Sequence, residues 1–363
     1  MDYVNCGTKI YLNWQKYKKL SKYNTMNNSL DFKMIKKINF INFNQDRSCF
    51  CIGTDEGYEI YNCDPFKKIF SKKIGKFGIS YVAMLFRTNI FALVLKNTLS
   101  KNNENKLLLW DDSKNSKIGE IEFSKNIRNV KLRKDSITVS TNTNVYLYNI
   151  FNFKLLKKIN TITNHKGLVE ITYFKHKFIL ACVGEEIGEL RCFDMLENKS
   201  LRINAHKSMI NFITLSGPGN LVATSSVKGT IIRVFHILTG QLVKELRRGS
   251  DKTIINWIEF NHGEEMILCR SRKGTIHIFN TDYKKNSLNK KNKFLSIGKY
   301  FNNFLPKYFN SEWSFVHLHF PNKRTISTFL NDSKHIIIIS FESIYYKINF
   351  TDKKYVTVLK KHL

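Results

Sequence analysis

Short runs of alternating apolar and polar residues follow one another along the chain, separated by clusters of Gly, Asn, Asp and Lys. No long segment keeps an apolar stripe at helical spacing, so the pattern predicts an all-β protein. One strand end recurs, an aromatic residue followed by a polar one: Tyr61-Asn62, Trp110-Asp111, Tyr148-Asn149, Phe193-Asp194, Phe235-His236 and Phe279-Asn280. Successive aromatics stand 49, 38, 45, 42 and 44 residues apart. A four-stranded propeller blade repeats every 40–45 residues or so, about the same period. Tyr345-Tyr346-Lys347 supplies a seventh unit after a longer step of 67 residues, which implies an insertion inside or just after the sixth. The expected architecture is a single seven-bladed β-propeller of WD-repeat type over residues 32–363, after an N-terminal extension at 1–31 and with an insertion at 281–311. A lone four-stranded blade cannot bury both of its faces, whereas a closed ring buries them all and leaves only short edges.

The phase of two blades can be compared directly. Gly229-Thr230-Ile231-Ile232-Arg233-Val234-Phe235 and Gly274-Thr275-Ile276-His277-Ile278-Phe279 read as the same strand in the fifth and sixth blades. Aligned on the aromatic, Arg233 and His277 are equivalent. The fifth-blade copy has one residue more, which predicts a bulge.

The fifth blade ends Leu242-Val243-Lys244-Glu245-Leu246-Arg247-Arg248-Gly249-Ser250. In an extended chain neighbouring side chains point to opposite faces, so Arg247 and Arg248 cannot easily share a site but can serve two. Gly249 is expected to allow a sharp exit and the close approach of a ligand. A guanidinium grips phosphate in a bidentate way and stays charged at cellular pH. The blade alignment gives each arginine a companion, Arg233 or His277; the expected set around Arg247 is His206, Lys228, Thr230 and Arg233, and around Arg248 it is Ser271, Arg272, Thr275 and His277. Hydroxyls and imidazoles add donors able to follow the oxygens of a phosphorylated ring. His206, in Asn204-Ala205-His206, also stands where WD repeats keep a structural histidine. The tryptophans other than Trp14 read as packing residues at blade ends.

Charge changes the picture less than its size suggests. The formal net charge is +30, a value that points to an anionic partner. Lysines outnumber arginines roughly four to one, however, and runs such as Lys101-Asn102-Asn103-Glu104-Asn105-Lys106 show a broad Lys/Asn bias. The few arginines therefore carry more information than the total. Hydrophobic residues make up 42% of the chain and aromatics 13%, enough for a packed interior and unlike a disordered protein. The seven cysteines form no C-x-x-C pair, and Cys49 and Cys51 read as small buried thiols in a reducing compartment. The N-terminus lacks the charged flank and apolar core of a secretory signal. No stretch approaches the ~20 apolar residues of a membrane span, so membrane contact would be peripheral.

Residues 225–250 and 270–279 resemble the PROPPIN family, the phosphoinositide-binding propellers of autophagy, whose fifth blade carries Phe/Leu-Arg-Arg-Gly where this chain has Leu246-Arg247-Arg248-Gly249. The likeness runs over roughly residues 37–350, through Phe43-Asn44-Gln45-Asp46, Tyr61-Asn62-Cys63-Asp64-Pro65-Phe66, Met84-Leu85-Phe86-Arg87-Thr88-Asn89 and Leu109-Trp110-Asp111-Asp112. Phe304-Leu305-Pro306-Lys307-Tyr308-Phe309, with Ser311, Trp313, Ser314 and Phe315, is similar to the branch that works with bridge-like lipid-transfer proteins. The resemblance implies binding of phosphatidylinositol 3-phosphate and phosphatidylinositol 3,5-bisphosphate without chemistry or cofactor. It also implies recruitment of autophagy or vesicle-trafficking proteins to endosomal, vacuolar or pre-autophagosomal membranes. Cys269-Arg270-Ser271-Arg272-Lys273 is more basic than the family's serine-rich stretch, which bears on headgroup choice at the second pocket.

In the insertion, Phe294, Leu295, Ile297, Tyr300, Phe301, Phe304 and Leu305 interleave with Lys290, Lys291, Lys293, Lys299 and Lys307. Aromatics can enter the interface while lysines meet anionic headgroups, and in the family this loop inserts into the bilayer. Two other classes compete. A generic WD-repeat scaffold would bind proteins only and leave the arginine pair without a role. A nucleic-acid binder would lose affinity steeply with salt and show no preference among lipids. No phosphate-cradling Gly loop, nucleophile–base pair or metal cluster suggests an enzyme. The expected state in solution is a monomer that binds membranes rather than nucleic acid.

Overall fold

The computed structural model describes residues 37–74, 77–96, 104–173, 176–281, 312–320, 324–351 and 358–363. The N-terminal extension at 1–31 lies outside them. All regular elements among the described residues are strands, gathered into seven sheets. Blade one comprises β1 (Ile38–Phe43), β2 (Cys49–Thr54), β3 (Gly57–Asn62) and β4 (Lys67–Lys73); blade two comprises β5 (Gly78–Met84), β6 (Ile90–Lys96), β7 (Lys106–Asp111) and β8 (Ser116–Glu122). Blade three follows as β9 (Asn129–Leu132), β10 (Ser136–Ser140), β11 (Asn144–Asn149) and β12 (Leu155–Asn160), and blade four as β13 (Val169–Ile171), β14 (Ile179–Val183), β15 (Glu189–Asp194) and β16 (Lys199–Asn204). Blade five is β17 (Ile210–Leu215), β18 (Leu221–Ser226), β19 (Ile231–His236) and β20 (Leu242–Arg247). Blade six is β21 (Ile255–Phe260), β22 (Met266–Ser271) and β23 (Thr275–Asn280), completed after the two-residue β24 (Glu312–Trp313) by β25 (Val316–His319). Blade seven is β26 (Thr325–Phe329), β27 (His335–Ser340), β28 (Ile344–Asn349) and β29 (Val358–His362).

Strand alternation builds the ring. Successive residues of each second strand point to opposite faces, and each face packs on a different neighbouring blade. In β2, Phe50 and Ile52 join the cluster shared with blade seven, while Cys49 and Cys51 join the cluster shared with blade two. Seven apolar clusters of this kind fill the seven interfaces. Second strands such as β2 and β18 are buried throughout, whereas the outer β4 and β8 are largely exposed. The six described cysteines are buried and free, and burial pushes the Cys51 thiol up to about 12.

Among the described residues no strand exchange locks blade seven to blade one. Side chains close the ring instead. The Tyr345 hydroxyl donates to the Cys63 carbonyl at 2.8 Å, Lys347 pairs with Asp64 at 2.8 Å, and the rings of Phe66 and Tyr345 lie 4.4 Å apart.

Two expectations need correction. The recurrent aromatic–polar pair ends the third strand of blades one to six, but in blade seven that place belongs to Ile348-Asn349, not to Tyr345-Tyr346-Lys347. Asn349 pairs with His335 and Ile348 with Ile336, as Asn280 pairs with Met266 and Phe279 with Ile267. A two-residue slip keeps the same face, so alternation could not expose the error. The extra residue of the fifth-blade copy makes no bulge against β18, where the ladder keeps register from Leu221–His236 to Ser225–Ile232. It is absorbed in the turn before β19; the irregularity lies on the other side, against β20, between Val234 and Phe235.

Candidate functional site

The outer strand of blade five carries the arginine pair at its end. Ile231 pairs with Arg247 and Arg233 with Glu245, so Arg233, Glu245 and Arg247 share one face by alternation. That face looks toward blade four, because Arg233 donates from Nη1 to the Ala205 carbonyl at 2.7 Å. Leu246 points the other way, into the cluster between blades five and six. Arg248 follows it, and its Nε donates to the Gly229 carbonyl at 3.0 Å. The two arginines therefore diverge as strand geometry requires.

On the blade-four side, His206 Nε2 lies 3.0 Å from the Thr224 hydroxyl. Burial, and then the nearby Arg233 charge, push the imidazole down to about 4. His206 is thus neutral at neutral pH and acts as a hydrogen-bonding group. Its buried bond to Thr224 gives the side chain a structural role whatever else it does, and its backbone carbonyl packs on Gly188, whose Cβ would lie 1.7 Å from that oxygen. Arg233, Arg247 and Thr230 are half-buried, and Lys228 is exposed on the turn. The alternation rule missed one member of this group: Glu245 accepts from Arg233 Nε at 3.0 Å. It stands two residues before Arg247, and the same period-two rule could have found it.

On the blade-six side the predicted residues lie deeper. His277 pairs with Cys269 as Arg233 pairs with Thr224, which bears out their equivalence. The Ser271 and Thr275 hydroxyls are 2.6 Å apart. His277 is buried, bonds through Nδ1 to the Ser314 hydroxyl at 3.0 Å, and stacks on His317 with ring centroids 4.5 Å apart. Ser271 is buried too, while Thr275 is half-buried and Arg272 exposed. Arg272 extends its field toward Lys166 of blade four, whose ammonium is held below its usual range by burial first and by Arg272 second. Arg248 is 8% exposed and its Nη2 also donates to the Asp251 carbonyl; burial pushes its guanidinium down. The first set is therefore the more open of the two.

Gly249 does not make its exit through left-handed backbone, and a Cβ there would meet nothing within 4 Å. The tight turn belongs to Gly229, at φ +62°, where a Cβ would stand 1.7 Å from the Thr253 carbonyl oxygen. Trp110 and Trp257 are half-buried, as the packing expectation has it, but Trp313 is 47% exposed on the edge strand β24. The insertion leaves blade six after β23 and returns before β25, inside the blade. Its candidate contacts Phe294, Leu295, Ile297, Tyr300, Phe301, Phe304 and Leu305 lie outside the described residues.

The PROPPIN family profile matches residues 37–357. This chain belongs to the PROPPIN family. Autophagy-related protein 18e of Arabidopsis thaliana is 35% identical to it over 245 residues, 67% of this chain and 66% of that protein. Autophagy-related protein 18 of Dictyostelium discoideum is 30% identical over 341 residues, 88% of this chain and 91% of its own length. Among solved structures, Kluyveromyces lactis Hsv2 with complete loop 6CD superposes with a TM-score of 0.73 at 24% identity, covering 90% of this chain and 98% of that one. That likeness speaks for the fold, and it agrees with the seven-bladed ring. As a PROPPIN with autophagy-related relatives, the chain keeps the family resemblance that its Leu246-Arg247-Arg248-Gly249 motif suggests.

Proposed function

We propose that this PROPPIN is a peripheral membrane effector that binds phosphatidylinositol 3-phosphate and phosphatidylinositol 3,5-bisphosphate through two pockets, one on each side of Leu246-Arg247-Arg248-Gly249. What supports the reading is that Arg247 shares the Arg233–Glu245 face of β20, whereas Arg248 follows Leu246, which points to the other interface, and turns to the Gly229 carbonyl. His206, Lys228, Thr230 and Arg233 would serve the Arg247 pocket; Ser271, Arg272, Thr275 and His277 would serve that of Arg248. A single headgroup in a shallow pocket binds weakly, but a second pocket on the same rigid rim captures its lipid at high effective concentration and adds about 10²–10⁴ in avidity. The insertion at 281–311 would add a third attachment. The recruited partners are autophagy proteins, a bridge-like lipid-transfer protein among them, at endosomal, vacuolar or pre-autophagosomal membranes.

Flotation of the full chain on vesicles carrying a panel of phosphoinositides tests the reading. The expected result is capture by the 3-phosphate and 3,5-bisphosphate lipids above other lipids of equal charge. Binding that follows vesicle charge alone and falls steeply with salt would leave only non-specific electrostatics.

A further inference from the structure

The returning limb of the sixth-blade insertion does something that its sequence does not announce. Before entering blade six it adds β24 to the outer edge of blade five, parallel to β20, with Leu246 opposite Glu312 and Arg247 opposite Trp313. Among the described residues no other blade gains a strand in this way. Registered neighbours in a ladder put their side chains on the same face, so the Trp313 indole stands on the Arg247 face.

Two residues of parallel pairing are a weak hold on their own. Lys244 supplies the rest. Its ammonium donates to the Asn280 carbonyl at 3.1 Å, where the insertion departs, and to Glu312 at 2.7 Å, where it returns. The Lys244 side chain is only 10% exposed while Glu312 is 51% exposed, so the ion pair is partly open to solvent and the Lys244–Asn280 bond adds to its hold. The Ser314 hydroxyl bonds His277 at 3.0 Å and the Phe315 amide donates to the Ile278 carbonyl at 3.0 Å. The chain is thus fixed on both sides of Trp313, while the indole itself stays 47% exposed.

We propose that Trp313 is a membrane-interface anchor beside Arg247, and that Lys244 and Glu312 are the clamp that holds it there. The occupant of this edge is a bilayer surface. A half-exposed tryptophan, apolar in its ring and polar at its N–H, suits the headgroup boundary. This end of the blade also carries the Arg247 charge and the exposed Lys228, so that an apolar indole stands beside cationic groups, the mixture that an anionic membrane takes up. The inference rests on the membrane-binding reading above and adds to it a residue outside the arginine motif.

The experiment compares wild type, Trp313→Ala, Trp313→Phe and the charge variants Lys244→Glu, Glu312→Lys and their double swap in the full chain. Readouts are binding to phosphatidylcholine vesicles carrying phosphatidylinositol 3-phosphate, binding of soluble inositol 1,3-bisphosphate, and tryptophan quenching by brominated lipid. Trp313→Ala is expected to lower vesicle affinity about tenfold, to leave soluble headgroup binding unchanged and to remove most of the quenching. Trp313→Phe keeps an aromatic ring and should retain part of the vesicle affinity. Each single charge reversal should weaken vesicle binding and the double swap should restore it. Wild-type vesicle affinity in folded Trp313→Ala would overturn the anchor, as would an equal loss of soluble headgroup binding. Quenching through Trp313 on phosphatidylserine vesicles without any phosphoinositide preference would sink the phosphoinositide reading and leave the anchor standing.

Discussion

Arg233 donates from Nε to Glu245 at 3.0 Å, on the same face of blade five as Arg247. A carboxylate thus stands inside the group of residues proposed to receive a phosphate. It orients the guanidinium and at the same time adds negative charge where the ligand brings more. Glu245→Gln keeps a hydrogen-bond acceptor in place and removes the charge. We expect vesicles carrying phosphatidylinositol 3-phosphate to bind this variant about two- to fivefold more tightly, the scale of one partly exposed charge interaction. Titration against such vesicles at fixed salt checks it; weaker binding would mean that the carboxylate's orienting role outweighs its repulsion.

The arginines themselves give the next expectation. Arg247→Thr removes one pocket and Arg248→Thr the other, so each single variant should keep the weak capture of one remaining site. The double variant should lose both, with a fall of about 10²-fold or more as avidity disappears. Neither side chain belongs to an apolar cluster, and circular dichroism with thermal melting should show an intact propeller. Undiminished flotation by the folded double variant would remove the basis of the two-pocket mechanism.

How far the sequence could be read depends on what its periodicity can carry. Alternation and a period of about 44 residues suffice for seven blades, because every second strand must feed two interfaces. They also separate Arg247 from Arg248. They fail where a shift preserves the face, as with Tyr346 standing in for Ile348 two residues on. They fail again where the chain is brought together across blades: nothing local ties Glu312 to Lys244 or Trp313 to Arg247, since a crossover through an insertion leaves no periodic trace. Burial depth was equally out of reach. Residue type marks Ser271 and His277 as donors, yet only pairing across the blade, of Ser271 with Ile255 and of His277 with His317, decides that both lie inside.

His206 sets a pH dependence whose sign follows from its buried site. Folded, its imidazole is pushed from 6.5 down to about 4, so between those values the unfolded chain binds a proton that the folded chain refuses. Its contribution is fully present above pH 6.5 and is lost as pH falls through the folded value, by up to about 3 kcal/mol. Urea unfolding of wild type and His206→Gln between pH 7.5 and about 4.5 should therefore show a steeper acid loss in wild type. Parallel curves would mean that His206 titrates normally in the folded protein.

The two glycines near the motif should behave in opposite ways. Gly229 sits at φ +62°, with the Thr253 carbonyl 1.7 Å from where a Cβ would stand and its own carbonyl held by Arg248. Gly229→Ala must shift backbone on both sides of the Arg248 pocket, and we expect it to cost about 2 kcal/mol or more in stability. Gly249 is in open space, so Gly249→Ala should stay within about 0.5 kcal/mol of wild type. If the open space is kept for a lipid headgroup, the same methyl group should still weaken vesicle binding severalfold. Stability measured by urea unfolding and affinity measured by flotation separate the two effects. A Gly249→Ala variant that is both stable and fully active would show that the motif needs its glycine for neither fold nor ligand approach, and would shift the ligand contact toward the arginine side chains alone.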